Sequence, residues 1–171
     1  MNTLSTQELI SKIEENNVIL IDVRPIAAYN GWTLQNEQRG GHVPSAKSIP
    51  LQWTQYMDWI EVLEEKNISR EQPVVVYGYD NDDSLQMAQK LEELGYGQIT
   101  TYNHFVEEYA GNPDLPLDKL PRYKHLVYPE WIKQLTASNR LTLMGTIMSF
   151  AIPITIISKI TTKDIFPVRY R

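Results

Sequence analysis

The feature that most constrains this chain is the stretch 73–95, where a strand pattern leads through a short polar loop into a helix pattern. Residues 74–77 are three valines and a tyrosine, which is typical of a buried strand. Apolar residues then recur at helical spacing, at Leu85, Ala88, Leu91 and Leu94. In an open α/β sheet, the loop between the carboxyl end of a strand and the next helix faces the ligand crevice. The sequence therefore predicts a ligand site at this loop.

The charge of that loop is unusual for such a site. It consists of Gly78, Tyr79, Asp80, Asn81, Asp82, Asp83 and Ser84. The first N–H groups of a helix favour an anion, whereas three aspartates repel one. A structural interpretation is that the aspartates stabilise the helix macrodipole by about 0.3–1 kcal/mol each. In that case Asp83 and Gln86 have the spacing of a capping box.

The remaining pattern predicts an α/β fold with a mainly parallel central sheet and helices on both faces. Residues 5–17 read as a capped helix, and residues 18–23 read as a strand buried on both faces. Short strands are predicted at 47–51 and 98–102, and a helix at 53–66. The segment 29–45 has three glycines and little periodicity, so it is predicted to be a long ordered loop.

Composition excludes several kinds of chemistry. The formal net charge of the 171 residues is −5, and nucleic acid is therefore not expected as a partner. The chain has no cysteine, which excludes disulfides, thiolate metal sites and a cysteine nucleophile. The N-terminus lacks the pattern of a signal peptide, so a cytoplasmic location is expected.

Four stretches resemble the rhodanese family of sulfurtransferases, especially the first domain of tandem or three-domain thiosulfate sulfurtransferases. They are residues 21–24 with Tyr29 shortly after, residues 41–50 (GHVPSAKSIP), residues 74–78, and residues 91–99 (LEELGYGQI). Residues 126–132 further resemble the helix that opens the next rhodanese unit. The resemblance implies a rhodanese-like domain, with a sister domain or another protein as the partner.

The resemblance also identifies a degenerate active-site loop. An active member carries a cysteine directly after the central strand, on a loop of the kind Cys-x-x-Gly-x-Arg-Ser, and that cysteine becomes a persulfide. The matching positions here are Gly78, Asn81, Asp83 and Ser84, so both the nucleophile and the cation are missing. The aspartates would repel the thiosulfate dianion by about 1 kcal/mol or more per close pair. We therefore expect no catalytic residues, no cofactor and no sulfur transfer by this chain.

The motif residues outside this loop are interpreted as structural. Asp22 and Arg24 follow the first strand and are expected to hold a neighbouring loop through an ion pair. Gly41, His42 and Pro44 belong to the GHVPS motif, and His42 is expected to form a hydrogen bond within the long loop.

Two other classes of function remain open from the sequence. One is a docking domain without catalysis, joined to a C-terminal membrane anchor at 141–158. The other is a Mg²⁺-dependent phosphotransferase that uses Asp80 and Asp82, because clustered carboxylates suit a hard cation.

The predicted domain organisation is a rhodanese-like domain at 1–110, a proline-rich linker at 111–125, the start of a second rhodanese-like unit at 126–140, and an apolar, basic tail at 141–171. The 18 uncharged residues 141–158 have the length of a membrane span. An alternative for the tail is a shifted reading frame, because codon degeneracy allows residues 163–170 to spell Gly-His-Ile-Pro-Gly-Ser-Ile. The coding DNA tests that alternative.

Overall fold

The structure of the protein is a computed structural model that describes residues 2–56, 58–126, 144–145 and 154–155. The chain divides into two compact units, Met1–Tyr123 and Lys124–Arg171. Most of the C-terminal region lies outside the described residues. This applies to the predicted second rhodanese unit at 126–140, apart from Leu126, and to the tail at 141–171, apart from residues 144–145 and 154–155. The hypotheses of a membrane anchor and of a shifted reading frame fall in this tail.

The elements alternate between strands and helices, as predicted. The helices are α1 Thr6–Glu14, α2 Ile26–Asn30, α3 Trp59–Glu65 and α4 Asn81–Glu93. The strands of the first unit are β1 Ile19–Asp22, β2 Lys47–Ser48, β3 Val74–Tyr77 and β4 Ile99–Tyr102. Short 3-10 helices span Leu51–Gln55 and Tyr123–His125, and a π-helical turn spans Phe105–Tyr109. In the second unit β5 Met144–Gly145 pairs antiparallel with β6 Ile154–Thr155.

The four strands of the first unit form one parallel sheet in the order β2-β1-β3-β4. Alternate residues of the central strands point to opposite faces, so Ile21 and Val76 lie in one buried cluster, and Leu20 and Val75 lie in the other. Both faces are buried because helices cover them, which is why β1 and β3 are almost wholly apolar. The predicted α/β class and parallel sheet are confirmed.

The helix predicted at 53–66 is shorter than expected. The chain forms a 3-10 helix at Leu51–Gln55, and Tyr56 then adopts an extended conformation (φ −98°, ψ 146°) before α3 begins at Trp59. The apolar spacing of this segment continues through the break, and for that reason the pattern alone does not reveal it.

The proline-rich segment predicted as a linker lies against the first unit up to Tyr123. The Arg39 guanidinium donates hydrogen bonds to the carbonyl oxygens of Asn112 and Leu115. The backbones of His42 and Asp118 exchange two hydrogen bonds of 2.9 Å. These contacts fix the segment as part of the domain surface.

Within the described residues, no helix is both long enough and apolar enough to cross a membrane.

Candidate degenerate active site

The candidate site lies at the carboxyl edge of the sheet, between β1 and β3. After β1 the chain continues to β2 at one edge of the sheet, and after β3 it continues to β4 at the other edge. The point where the connections diverge is where ligands bind in open α/β sheets. We call the space bounded by Val23, Arg24, Gly78 and Tyr79 the crevice. The loop that the sequence predicts as a ligand site is therefore in the expected place.

The Arg24 side chain is fully buried in this crevice. Its Nε donates to Asp22 Oδ1 at 2.9 Å and its Nη2 donates to Asp22 Oδ2 at 2.6 Å. The same Nη2 donates to the carbonyl oxygen of Gly41 at 2.7 Å. The ion pair predicted between Asp22 and Arg24 is present, and it does hold the neighbouring loop.

Aromatic rings complete the surroundings of Arg24. Its Cζ lies 3.9 Å from the ring centroid of Phe105 and 5.4 Å from that of Tyr79. Burial alone would lower the pKa of Arg24, but the bidentate contact with Asp22 outweighs it and the pKa is raised. Arg24 thus stays charged, with its charge balanced by Asp22 and by the faces of the rings.

Gly78 is buried directly after β3, where the resemblance predicts the nucleophile. A Cβ atom there would lie 2.8 Å from Val23 Cγ2 and 3.3 Å from Ser84 Oγ. Real Cβ atoms essentially never approach another heavy atom as closely as 2.8 Å, so any side chain at this position requires Val23 to move. The close approach of Val23, just after β1, to Gly78, just after β3, therefore favours glycine here.

The polar residues after Gly78 form hydrogen bonds with each other. Asp80 is the N-cap of α4, and its Oδ1 accepts a 2.9 Å hydrogen bond from the backbone N–H of Asp83. The Ser84 hydroxyl is buried and donates to the carbonyl oxygen of Asp80 at 3.0 Å. The capping role predicted for Asp83 with Gln86 is wrong, because the helix begins one turn earlier, at Asn81.

The aspartates of this loop raise the local negative potential. Partial burial, followed by repulsion from Asp80 and Asp82, raises the pKa of Asp83. Among the described residues, no three His, Asp or Glu side chains are grouped so that they could hold a metal ion. The hypothesis of a magnesium site at Asp80 and Asp82 gains no support from this geometry.

Tyr79 closes the crevice through a hydrogen bond to Glu37 that no sequence pattern predicts. Its hydroxyl donates a 2.6 Å hydrogen bond to the Glu37 carboxylate, which is buried (5% exposed). Glu37 also accepts from the backbone N–H groups of Leu34 and Gln35, at 3.1 and 2.9 Å. Burial, then the Glu37 carboxylate, raises the pKa of Tyr79. Glu37 and Tyr79 are far apart in the sequence and follow no periodic pattern, so no signal in the chain pairs them.

The GHVPS motif shapes the loop that leads to β2. His42 Nδ1 lies 2.7 Å from the carbonyl oxygen of Tyr29, and the two rings stack with centroids 3.6 Å apart. The hydrogen bond predicted for His42 within the long loop is present. Pro44 and Ser45 form a turn closed by a 3.0 Å bond from the Ala46 N–H to the Val43 carbonyl.

The glycine at position 41 is also required by the structure. Its φ is +115°, and a Cβ would lie 2.5 Å from the Asp118 carbonyl oxygen. Both the backbone conformation and the close approach of the segment after Ala110 therefore require glycine.

Comparison with protein families decides the classification of this fold. The profile of the Rhodanese-like domain matches residues 5–112, which is more than half of the chain. The chain belongs to the rhodanese-like family. The resemblance read from the sequence is confirmed by this match.

Relatives of this rhodanese-like domain are longer proteins. The chain is 28% identical over 137 residues to thiosulfate sulfurtransferase YnjE of Escherichia coli strain K12, which covers 78% of this chain and 30% of that protein. The structure superposes on wild-type EanB with a TM-score of 0.73 at 34% identity, covering 80% of this chain and 32% of EanB. The same values hold for an anaerobic ergothioneine biosynthesis enzyme from Chlorobium limicola in complex with its natural substrate, trimethyl histidine. The chain therefore spans about a third of the length of these relatives.

Proposed function

We propose that this chain is a non-catalytic rhodanese-like domain of a sulfurtransferase, and that it does not transfer sulfur by itself. The observation that carries the proposal is Gly78, which is packed against Val23 at the nucleophile position in a chain that has no cysteine. A persulfide needs a thiol that can be attacked and then released. Neither Gly78 nor any other residue of the chain supplies one.

The ion pair and hydrogen bonds within the crevice support the same proposal. Arg24 is neutralised by Asp22, Tyr79 covers it, and Asp80 and Ser84 are hydrogen-bonded within the loop. An incoming thiosulfate dianion would meet the carboxylates of Asp80, Asp82 and Asp83, so its binding is disfavoured as well as its reaction.

The role that remains is docking to a catalytic unit. One solved complex of EanB contains ergothioneine covalently linked to a persulfide cysteine of that protein. Because this chain lacks cysteine and matches about a third of such relatives, we propose a sister rhodanese domain as the partner and as the carrier of the persulfide.

The proposal is tested by a thiosulfate-to-cyanide sulfur transfer assay on the purified chain, with E. coli YnjE assayed in parallel. We expect thiocyanate formation at the rate of the buffer blank. Gly78→Cys is also expected to stay at the blank, because Val23 crowds its Cβ and the three aspartates remain. Gly78→Ala controls for the steric effect on folding. Turnover of the unaltered chain above the blank would overturn the proposal.

A further inference from the structure

A groove on the first unit is lined by aromatic side chains that the crevice does not use. It lies between the 3-10 helix Leu51–Gln55 and α3, and it has a volume of about 310 Å³. Its lining residues are Trp53, Tyr56, Asp58, Trp59 and Val62. We call this feature the aromatic groove.

The rings of the aromatic groove differ in exposure. Tyr56 is 64% exposed, Trp53 is half-buried, and Trp59 is half-buried with part of its side chain against the core cluster. The exposed ring of Tyr56 and the free parts of the two tryptophans lose the free energy of burial, which favours a binding role for this surface. Such rings are typical of binding surfaces, where they offer a large, rigid contact area.

Asp58 gives the aromatic groove a negative charge. It precedes α3 but forms no side-chain hydrogen bond to the start of that helix, so its carboxylate is not used as a cap. Among the residues that the structure describes, no Lys or Arg lines the groove. Three electron-rich rings and one carboxylate are complementary to a cation, and they repel an anion.

The kind of cation follows from the lining. A divalent metal requires several oxygen ligands, and the described lining of the groove offers one carboxylate. A primary ammonium is strongly hydrated, so it loses more hydration free energy than a weakly hydrated cation when it enters between the rings. A quaternary ammonium has a methylated, weakly hydrated surface that ring faces bind well.

We propose that the aromatic groove binds a quaternary ammonium group, with Tyr56 and the two tryptophans against its methyl groups and Asp58 as its counter-ion. A volume of about 310 Å³ is at the small end of ligand pockets, which span about 300–1,000 Å³, and it accommodates a trimethylammonium head with a short substituent. The site shares no residue with the crevice, so it does not depend on the proposed lack of sulfur transfer.

The test is an NMR titration of the full ¹⁵N-labelled chain with tetramethylammonium. The indole N–H signals of Trp53 and Trp59 are expected to shift saturably, with a Kd of about 1 mM, while the signal of Trp32 stays in place. The neutral isostere 3,3-dimethylbutan-1-ol is expected to cause no saturable shift. The same shifts and Kd with this alcohol would overturn the proposal, because the groove would then be merely apolar.

Matched variants separate the ring and charge contributions. Tyr56→Phe retains the ring and is expected to keep the Kd, whereas Tyr56→Leu is expected to weaken binding about two- to fivefold. Asp58→Asn is expected to weaken it by about the same factor. Asp114→Asn, on an exposed residue outside the groove, is the charge control and is expected to change nothing.

Two probes distinguish the sources of the group. Choline represents a free small molecule, and a short peptide containing trimethyllysine represents a modified protein. Tighter binding of one than of tetramethylammonium supports the proposal and identifies the source. If tetramethylammonium, choline and the peptide all fail to move the Trp53 and Trp59 signals, the proposal is wrong.

Discussion

At the scale of single residues, the crevice holds charged groups that are already paired. Arg24 is bound by Asp22, and Glu37 is bound by Tyr79 and by two backbone N–H groups. Breaking a buried pair typically costs about 3–5 kcal/mol, since the remaining charge is left without a partner. These residues are therefore poor candidates for catalytic groups, which must exchange partners during a reaction.

The folded state disfavours the negative charge of Asp83. Its pKa is raised by burial and by two neighbouring aspartates, so the folded state binds its proton more tightly than the unfolded state does. The charge of Asp83 therefore lowers the free energy of unfolding. This loss is absent below the unfolded pKa of about 3.9 and grows as the pH rises through the folded pKa. We predict that Asp83→Asn raises the free energy of unfolding at pH 7 by a few tenths of a kcal/mol, after allowance for solvent screening.

Urea unfolding of both proteins between pH 3 and pH 7 measures this effect. The difference between Asp83→Asn and the unaltered chain should shrink towards acid pH. Asp114→Asn, at an exposed aspartate, is the control. A constant difference at all pH values would contradict the assignment to the charge of Asp83.

Residue patterns revealed part of this site. The pairing of Asp22 with Arg24 could be predicted because the two complementary charges stand at the end of one strand, two positions apart. The contact between Glu37 and Tyr79 could not, because it depends on how the long loop folds over the sheet edge. No local rule relates those two positions.

At the scale of elements, the beginning of α4 decides the geometry of the degenerate loop. The apolar spacing starts at Leu85, and the capping-box spacing of Asp83 and Gln86 predicts a cap at Asp83. The helix instead extends one polar turn further and is capped by Asp80, whose backbone is extended (φ −139°, ψ 175°). This early start leaves only Gly78, Tyr79 and Asp80 between β3 and the helix.

The cap can be tested by comparing two substitutions at Asp80. Asp80→Ala removes the acceptor for the Asp83 N–H and is predicted to lower the free energy of unfolding by about 1 kcal/mol. Asp80→Asn keeps an acceptor oxygen and should be close to neutral. Thermal or urea unfolding at pH 7 measures both. Equal losses for the two variants would show that the charge, and not the cap, is responsible.

At the scale of the whole molecule, the rhodanese-like domain extends beyond the family match. The family profile ends at residue 112, and the sequence predicts a linker from residue 111 because three prolines occur without periodicity. In the structure Leu115 and Leu117 pack against the core cluster on one face of the sheet. The fold class followed from strand and helix periodicity, whereas an irregular segment has no periodicity that reports where it packs.

This extension leads to a prediction about the domain boundary. A chain that ends at residue 123 should be more stable than one that ends at residue 110, by about 2–4 kcal/mol, because the shorter chain loses two partly buried leucines and several hydrogen bonds. Among those bonds are the contacts of Arg39 with Asn112 and Leu115. The midpoints of urea unfolding measure the difference. Leu115→Ala with Leu117→Ala in the longer chain should reproduce the apolar part of the loss. Identical midpoints for the two chains would mean that this segment behaves as a linker, so its contacts with the loop would contribute nothing to the stability of the domain.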